Sequence, residues 1–171
     1  MSPSRPLRFD PILEARRQWE AHGWTDAAPG MAAITSVIRA QQIFLARVDA
    51  VLRPFALSFA RYELLMVLLF SRHGALPLNK LGSRLQVHPT SVTNAVDRLE
   101  AAEFVRRVPH PTDGRATLIQ ITPAGRERVD AATTELNARI FRNTGFDPRE
   151  VEQLNALLTG FRRDAGDFEE Q

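Results

Sequence analysis

The sequence predicts a mainly α fold of the α+β class, with seven amphipathic helices and one two-stranded hairpin. Three observations carry this. Apolar residues recur at helical spacing through most of the chain, a capping residue stands directly before proline at Asp10-Pro11, Thr122-Pro123 and Asp147-Pro148, and strand-like alternation is confined to residues 105–121.

The first helix opens at Asp10-Pro11, carries Ile12, Leu13, Arg16 and Trp19, and ends near His22-Gly23. Residues 25–30 read as a linker. A long helix is expected from Met31 to about Leu52, with Ile34, Val37, Ile38, Phe44, Leu45, Val48 and Leu52 forming a broad apolar face before Pro54 stops it. A helix of about 20 residues spans roughly 30 Å, more than a small helix-turn-helix module covers, so part of this stripe is expected to meet another chain. Ser58 caps the third helix, with Leu57 placed to staple against Tyr62, and the stripe runs through Leu65, Met66, Leu69 and Phe70 to His73-Gly74.

Two short helices follow. Residues 78–85 place apolar groups at 78, 81 and 85, and residues 89–99 at 92, 96 and 99. On the second, Thr90, Ser91, Thr93 and Asn94 are short hydrogen-bonding residues just after Pro89 at the first helical position. That is the part of a recognition helix that meets base edges in the major groove. The hairpin comes next: residues 105–108 and 116–121 alternate, and the connection between them contains the turn-former Asp113-Gly114. Residues 104–126 hold four arginines, Arg106, Arg107, Arg115 and Arg126, against one acid, Asp113. A charge run by itself reads as a solvated loop, but directly after a helix-turn-helix it supplies phosphate neutralisation. Helices from Thr122-Pro123 (Val129, Ala132, Leu136, Ile140) and from Asp147-Pro148-Arg149-Glu150 (Val151, Leu154, Leu157, Leu158, Phe161) close the chain.

Composition narrows the function classes. The 171 residues, 44% hydrophobic, suit one domain with an accessory helical layer. The formal net charge is only +2, but it is segregated: residues 78–126 hold seven Lys/Arg and four acids, residues 147–171 three arginines and seven acids. The C-terminal end is therefore expected to face away from a polyanion. The absence of cysteine removes disulfides, thiol redox sensing and thiolate metal sites, and the four histidines, His22, His73, His88 and His110, have no ligand spacing. No metal or cofactor is expected. No apolar run reaches the roughly 18 residues that span a bilayer, and no signal core follows the N-terminus, so a cytoplasmic protein without a membrane partner is expected.

Residues 57–128 resemble the MarR family of winged helix-turn-helix transcription regulators. The resemblance rests on Leu57-Ser58-Phe59-Ala60-Arg61-Tyr62-Glu63-Leu64-Leu65, on the helix Val87-His88-Pro89-Thr90-Ser91-Val92-Thr93-Asn94-Ala95-Val96-Asp97-Arg98-Leu99-Glu100, and on Asp113-Gly114-Arg115 followed by Leu118-Ile119-Gln120-Ile121-Thr122-Pro123-Ala124-Gly125. It extends over nearly all of residues 31–165. It implies a homodimer built by the terminal helices, a reading helix in the major groove, and a wing whose Arg115 enters the minor groove while Asp113 holds the wing. The physics agrees, because a guanidinium on a narrow flap suits a groove of strongly negative potential. The implied partition is an N-terminal extension (1–30), a dimerisation region (31–56 and 123–171) and a winged helix-turn-helix region (57–122). The DNA-binding candidates are Lys80, Arg84, His88, Pro89, Thr90, Ser91, Thr93, Asn94, Arg98, Arg106, Asp113 and Arg115. Arg98, Lys80 and Arg84 are candidates for the phosphate backbone, and Arg84 is alternatively a partner for Asp97.

The N-terminal helix with Trp19 is similar to the subgroup that answers to urate and related anions. Trp19 matches, Glu63 is a longer acid than the subgroup's, and Ala95 stands where its arginine would be, which disfavours a urate sensor. A pocket lined by some of Trp19, Met31, Ile34, Phe55, Phe59, Tyr62 and Met66 is still plausible, with Arg39 or Arg61 for an anion; Trp19, Arg39, Phe59, Tyr62 and Glu63 are the ligand candidates. Such an aromatic stripe is more often core. The function expected is a sequence-specific regulator of double-stranded DNA, a repressor that binds a pseudo-palindromic operator as a homodimer and is released by a small-molecule effector. The alternatives are a sequence-tolerant architectural DNA-binding protein and a protein-interaction platform. An enzyme lacks support, since the sequence has no phosphate-cradling Gly loop, metal cluster or assembled nucleophile set.

Overall fold

The computed structural model describes residues 7–85, 89–110 and 117–169. The chain divides into two compact units, residues 1–60 and 61–171.

In the first unit, α1 (Pro11–Ala21) lies against α2 (Ala28–Leu52). Asp10 starts α1 as expected: its carboxylate accepts from the N–H of Ile12 at 2.9 Å and of Leu13 at 3.3 Å. After α1 the chain reverses at Gly23, where φ is +85°. The Trp24 N–H donates to Trp19 O at 3.0 Å, and the two indoles meet edge to face with centroids 5.2 Å apart. The expected linker at 25–30 is shorter than proposed, because α2 begins at Ala28 and takes Pro29 into its first turn, where a missing N–H costs nothing. Val48, Val51 and Leu52 at the far end of α2 are buried, while Ile34, Val37 and Ile38 in its first half are exposed. A 3₁₀ turn, Arg53–Phe55, ends the helix at Pro54. The chain turns through Ala56 at φ +57°, and Asp49 Oδ1 then accepts from the Phe59 N–H at 3.0 Å, a cap supplied by α2 to the next helix.

That helix, α3 (Phe59–Leu69), continues into the second unit, followed by β1 (Ala75–Pro77), α4 (Leu78–Leu85), α5 (Pro89–Ala101), β2 (Val105–Pro109), β3 (Thr117–Ile121), α6 (Pro123–Leu136) and α7 (Pro148–Asp164). The hairpin was expected to have two strands. The sheet has three, antiparallel, in the order β1-β3-β2, with Ala75 opposite Gln120 and Arg106 opposite Gln120 on the other side. Leu64, Leu65 and Leu68 of α3, Leu81 of α4, Val92, Val96 and Leu99 of α5, Ile119 and Ile121 of β3, and Val129, Ala132 and Leu136 of α6 are buried. This is a winged helix-turn-helix, mostly helical with a small antiparallel sheet.

Two local devices join the sheet to its helices. α5 stops where Glu103 adopts φ +61° and the Phe104 N–H reaches back to Leu99 O at 2.9 Å. Thr122 caps α6, its Oγ1 accepting from the Gly125 N–H at 3.0 Å and donating to Glu103 O at 2.7 Å. After Leu136 the helix widens into a π turn, Asn137–Phe141, and Asp147 and Glu150 then form the expected capping box of α7.

Candidate nucleic-acid interface

α5 is amphipathic because its apolar residues recur at three- and four-residue spacing. Val92, Val96 and Leu99 are at most 2% exposed, so the opposite stripe must face out. Thr90, Ser91, Asn94, Asp97 and Arg98 are exposed on it, and Thr93 is half-buried on its flank. α4 supports α5 at close range: a Cβ built on Gly82 would lie 3.7 Å from Val92 Cγ2, ordinary contact. Lys80 and Arg84 are exposed on α4. Pro89 begins α5, and its side chain lies outside the described set. His88, Asp113 and Arg115 fall in segments 86–88 and 111–116, outside the described residues.

The sheet sorts the arginines expected to form one basic cluster. Successive residues of a strand point to opposite faces. Arg106 shares a face with its cross-strand neighbour Gln120 and donates from Nε to Gln120 Oε1 at 2.9 Å. Arg107 takes the other face with Ile119 and is ion-paired to α5: its Nη2 donates to Asp97 Oδ1 at 2.6 Å and its Nη1 to Glu100 Oε2. The hydrogen bond to Asp97 leads the influences that raise the Arg107 pKa above the ordinary arginine value. Asp97, for which Arg84 was the alternative partner, is thus paired with Arg107. Arg126 is exposed, and its guanidinium lies beside Gly74. Of the described arginines in this cluster, Arg107 is thus tied into the fold by ion pairs. The missed signal was the adjacency of Arg106 and Arg107: in a strand, two neighbouring arginines cannot share a face.

Four of the five ligand candidates have other contacts. Trp19 packs on Trp24; exposed Arg39 donates from Nη1 to Gln42 Oε1 at 3.1 Å; the Phe59 N–H is held by Asp49. The Tyr62 hydroxyl meets Thr133 Oγ1 at 3.1 Å, and because Thr133 donates to Val129 O at 2.7 Å, Tyr62 is the donor. Desolvation pushes the Glu63 carboxyl above its usual range. Among the described residues no group of acids and histidines is arranged to hold a metal, and no helix is long and apolar enough to cross a membrane.

Residues 60–117 match the MarR family model. The chain is 32% identical over 114 residues to the uncharacterized HTH-type transcriptional regulator YhbI of Bacillus subtilis (strain 168), covering 64% of this chain and 70% of that protein. Among solved structures it is similar to Sco5413, a MarR family transcriptional regulator from Streptomyces coelicolor, at 53% identity and a TM-score of 0.76, covering 83% of this chain and 99% of that one. It shares its fold with Sco3205, a MarR family transcriptional regulator from Streptomyces coelicolor solved in complex with DNA, at 22% identity, a TM-score of 0.66 and coverage of 81% and 87%. With a buried reading-helix core, an exposed polar stripe and a winged sheet in the same order as the motifs, the chain belongs to the MarR family of DNA-binding transcriptional regulators.

Proposed function

We propose that this regulator is a homodimeric repressor that reads a pseudo-palindromic operator and is released by a small-molecule effector. The observation that carries the reading is the exposed stripe of Thr90, Ser91, Asn94 and Arg98 directly opposite the buried Val92, Val96 and Leu99. Short polar side chains near the start of a helix reach base edges, and a cation one or two turns on reaches the backbone. Two copies are needed to read two half-sites about 34 Å apart. Exposed Ile34, Val37 and Ile38 on α2, and Leu157 and Phe161 on α7, supply apolar surface for that assembly. An effector that favours a different spacing of the two reading heads by about 1–3 kcal/mol would release one half-site.

The test is binding to the DNA upstream of the protein's own gene against scrambled DNA of equal length at physiological salt, with Arg115→Ala and Asn94→Ala in parallel. A preference of about a thousandfold, weakened by both substitutions, is expected. Equal, steeply salt-dependent binding to both fragments, and to fragments enriched from a random pool, would replace this reading with the sequence-tolerant architectural one.

A further inference from the structure

Asp97 is an acid on the outward side of the reading helix. It stands one turn after Asn94 and two after Thr90, where a polyanion would repel it. Arg107 meets it there from the neighbouring strand: Nη2 donates to Asp97 Oδ1 at 2.6 Å, Nη1 donates to Glu100 Oε2, and the Arg107 main-chain N–H donates to Glu100 Oε1 at 3.2 Å. Asp97 and Glu100 are three residues apart and flank the same side of α5, so one guanidinium grips two successive turns. The strand that supplies it runs directly into the wing.

We propose that Arg107 is a positioning residue for DNA reading, a clamp that fixes the orientation of α5 against the wing strand β2 and cancels the charge of Asp97 on the reading face. The proposal rests on the DNA-reading function above. Two features separate it from an ordinary surface ion pair. Arg107 engages two carboxylates through its guanidinium and one of them, Glu100, again through its own main-chain N–H, and the groups it joins are the two elements that must enter adjacent grooves together. An exposed pair adds little to stability, so the effect is expected in discrimination between DNA sequences rather than in the melting temperature. A guanidinium held by two acids is also withheld from phosphate, which distinguishes Arg107 from Arg98.

The probe is a duplex enriched by the wild-type protein from a random-sequence pool, compared with a scrambled duplex across a salt series. Arg107→Ala and Asp97→Asn are each expected to lose about tenfold in discrimination, the double variant no more than either single one, with melting temperatures within a few degrees of wild type. The slope of log affinity against log salt should not change. Asp97→Asn removes a negative charge from the DNA-facing side, so simple electrostatics predicts tighter binding. Unchanged or improved discrimination in Asp97→Asn would overturn the clamp, and a slope reduced by about one in Arg107→Ala would overturn it by making Arg107 a phosphate ligand. A wild-type protein that enriches no sequence would sink the specific-regulator reading instead. The clamp is then decided in the free protein: faster amide exchange across residues 92–100 in Arg107→Ala supports it, and unchanged exchange overturns it.

Discussion

Gly125 approaches Phe104 so closely that a Cβ on the glycine would stand 2.1 Å from the Phe104 carbonyl oxygen and 2.9 Å from its carbon. The contact is backbone against backbone, so no side chain can swing away. It docks the first turn of α6 onto the end of the reading helix, alongside the Thr122 hydroxyl that bridges Gly125 and Glu103. Gly125→Ala is expected to lower unfolding stability by about 1–3 kcal/mol, the cost of overpacking a closed site. Urea denaturation of wild type and variant checks it; a loss below about 0.3 kcal/mol would mean that the turn moves freely.

Tyr62 and Thr133 tie α3 to α6 through one hydroxyl pair inside a largely apolar layer. Tyr62→Phe removes the donor but leaves Thr133 satisfied by Val129 O, so a loss of only about 0.5–1.5 kcal/mol is expected. Leu65→Ala, at a position with no exposure, should cost about 2–5 kcal/mol because it leaves a cavity. Denaturation midpoints that rank these two substitutions the other way would contradict the packing described.

Glu63 supplies a pH-dependent term, a small one because the residue is solvent-exposed. Its folded-state pKa is raised by desolvation, so the folded protein binds that proton more tightly than the unfolded chain does. The charged form is therefore a cost at neutral pH, relieved as the pH falls through the raised folded value. Glu63→Gln should melt above wild type at pH 7, and the gap should close as the buffer is taken toward pH 4. A gap that stays constant across that range would show that the carboxylate is not responsible.

On the exposed stripe of α5, Asn94 and Arg98 are expected to differ in kind. Asn94→Ala should relax base preference at one position, by about 1–3 kcal/mol of discrimination, with an unchanged salt slope. Arg98→Ala should weaken binding to all duplexes alike and reduce the slope by about one. Anisotropy titrations on single-base variants of an enriched duplex separate the two, and identical profiles would remove the distinction.

The apolar residues left exposed on α2 and α7 make the proposed dimer testable. Ile38→Asp and Phe161→Asp, at residues 54% and 72% exposed in the single chain, should leave the fold intact and shift sedimentation from dimer to monomer. Operator affinity should fall with it, since one head then reads one half-site. Variants that still sediment as dimers would place the interface elsewhere.

Much of the fold could be read before the tertiary structure because its signals are local. Asp10, Thr122 and Asp147 each cap a helix within three residues of themselves, and the buried Val92, Val96 and Leu99 declare their stripe by spacing alone. Strand β1 carried no such signal. Ala75-Leu76-Pro77 is three residues with a proline, and it becomes a strand only because β3, distant in sequence, offers it an edge. The candidate site divides the same way. The polar stripe of α5 follows from one helix's periodicity, and so the sequence by itself determined which residues of α5 face outward, with Thr93 half-buried at the edge. Which arginine remains available to a polyanion was a tertiary decision. Arg107 and Arg106 are neighbours of identical chemistry, and the pleat of β2, with α5 packed against one face of the sheet, turns the first toward Asp97 and Glu100 and the second toward Gln120.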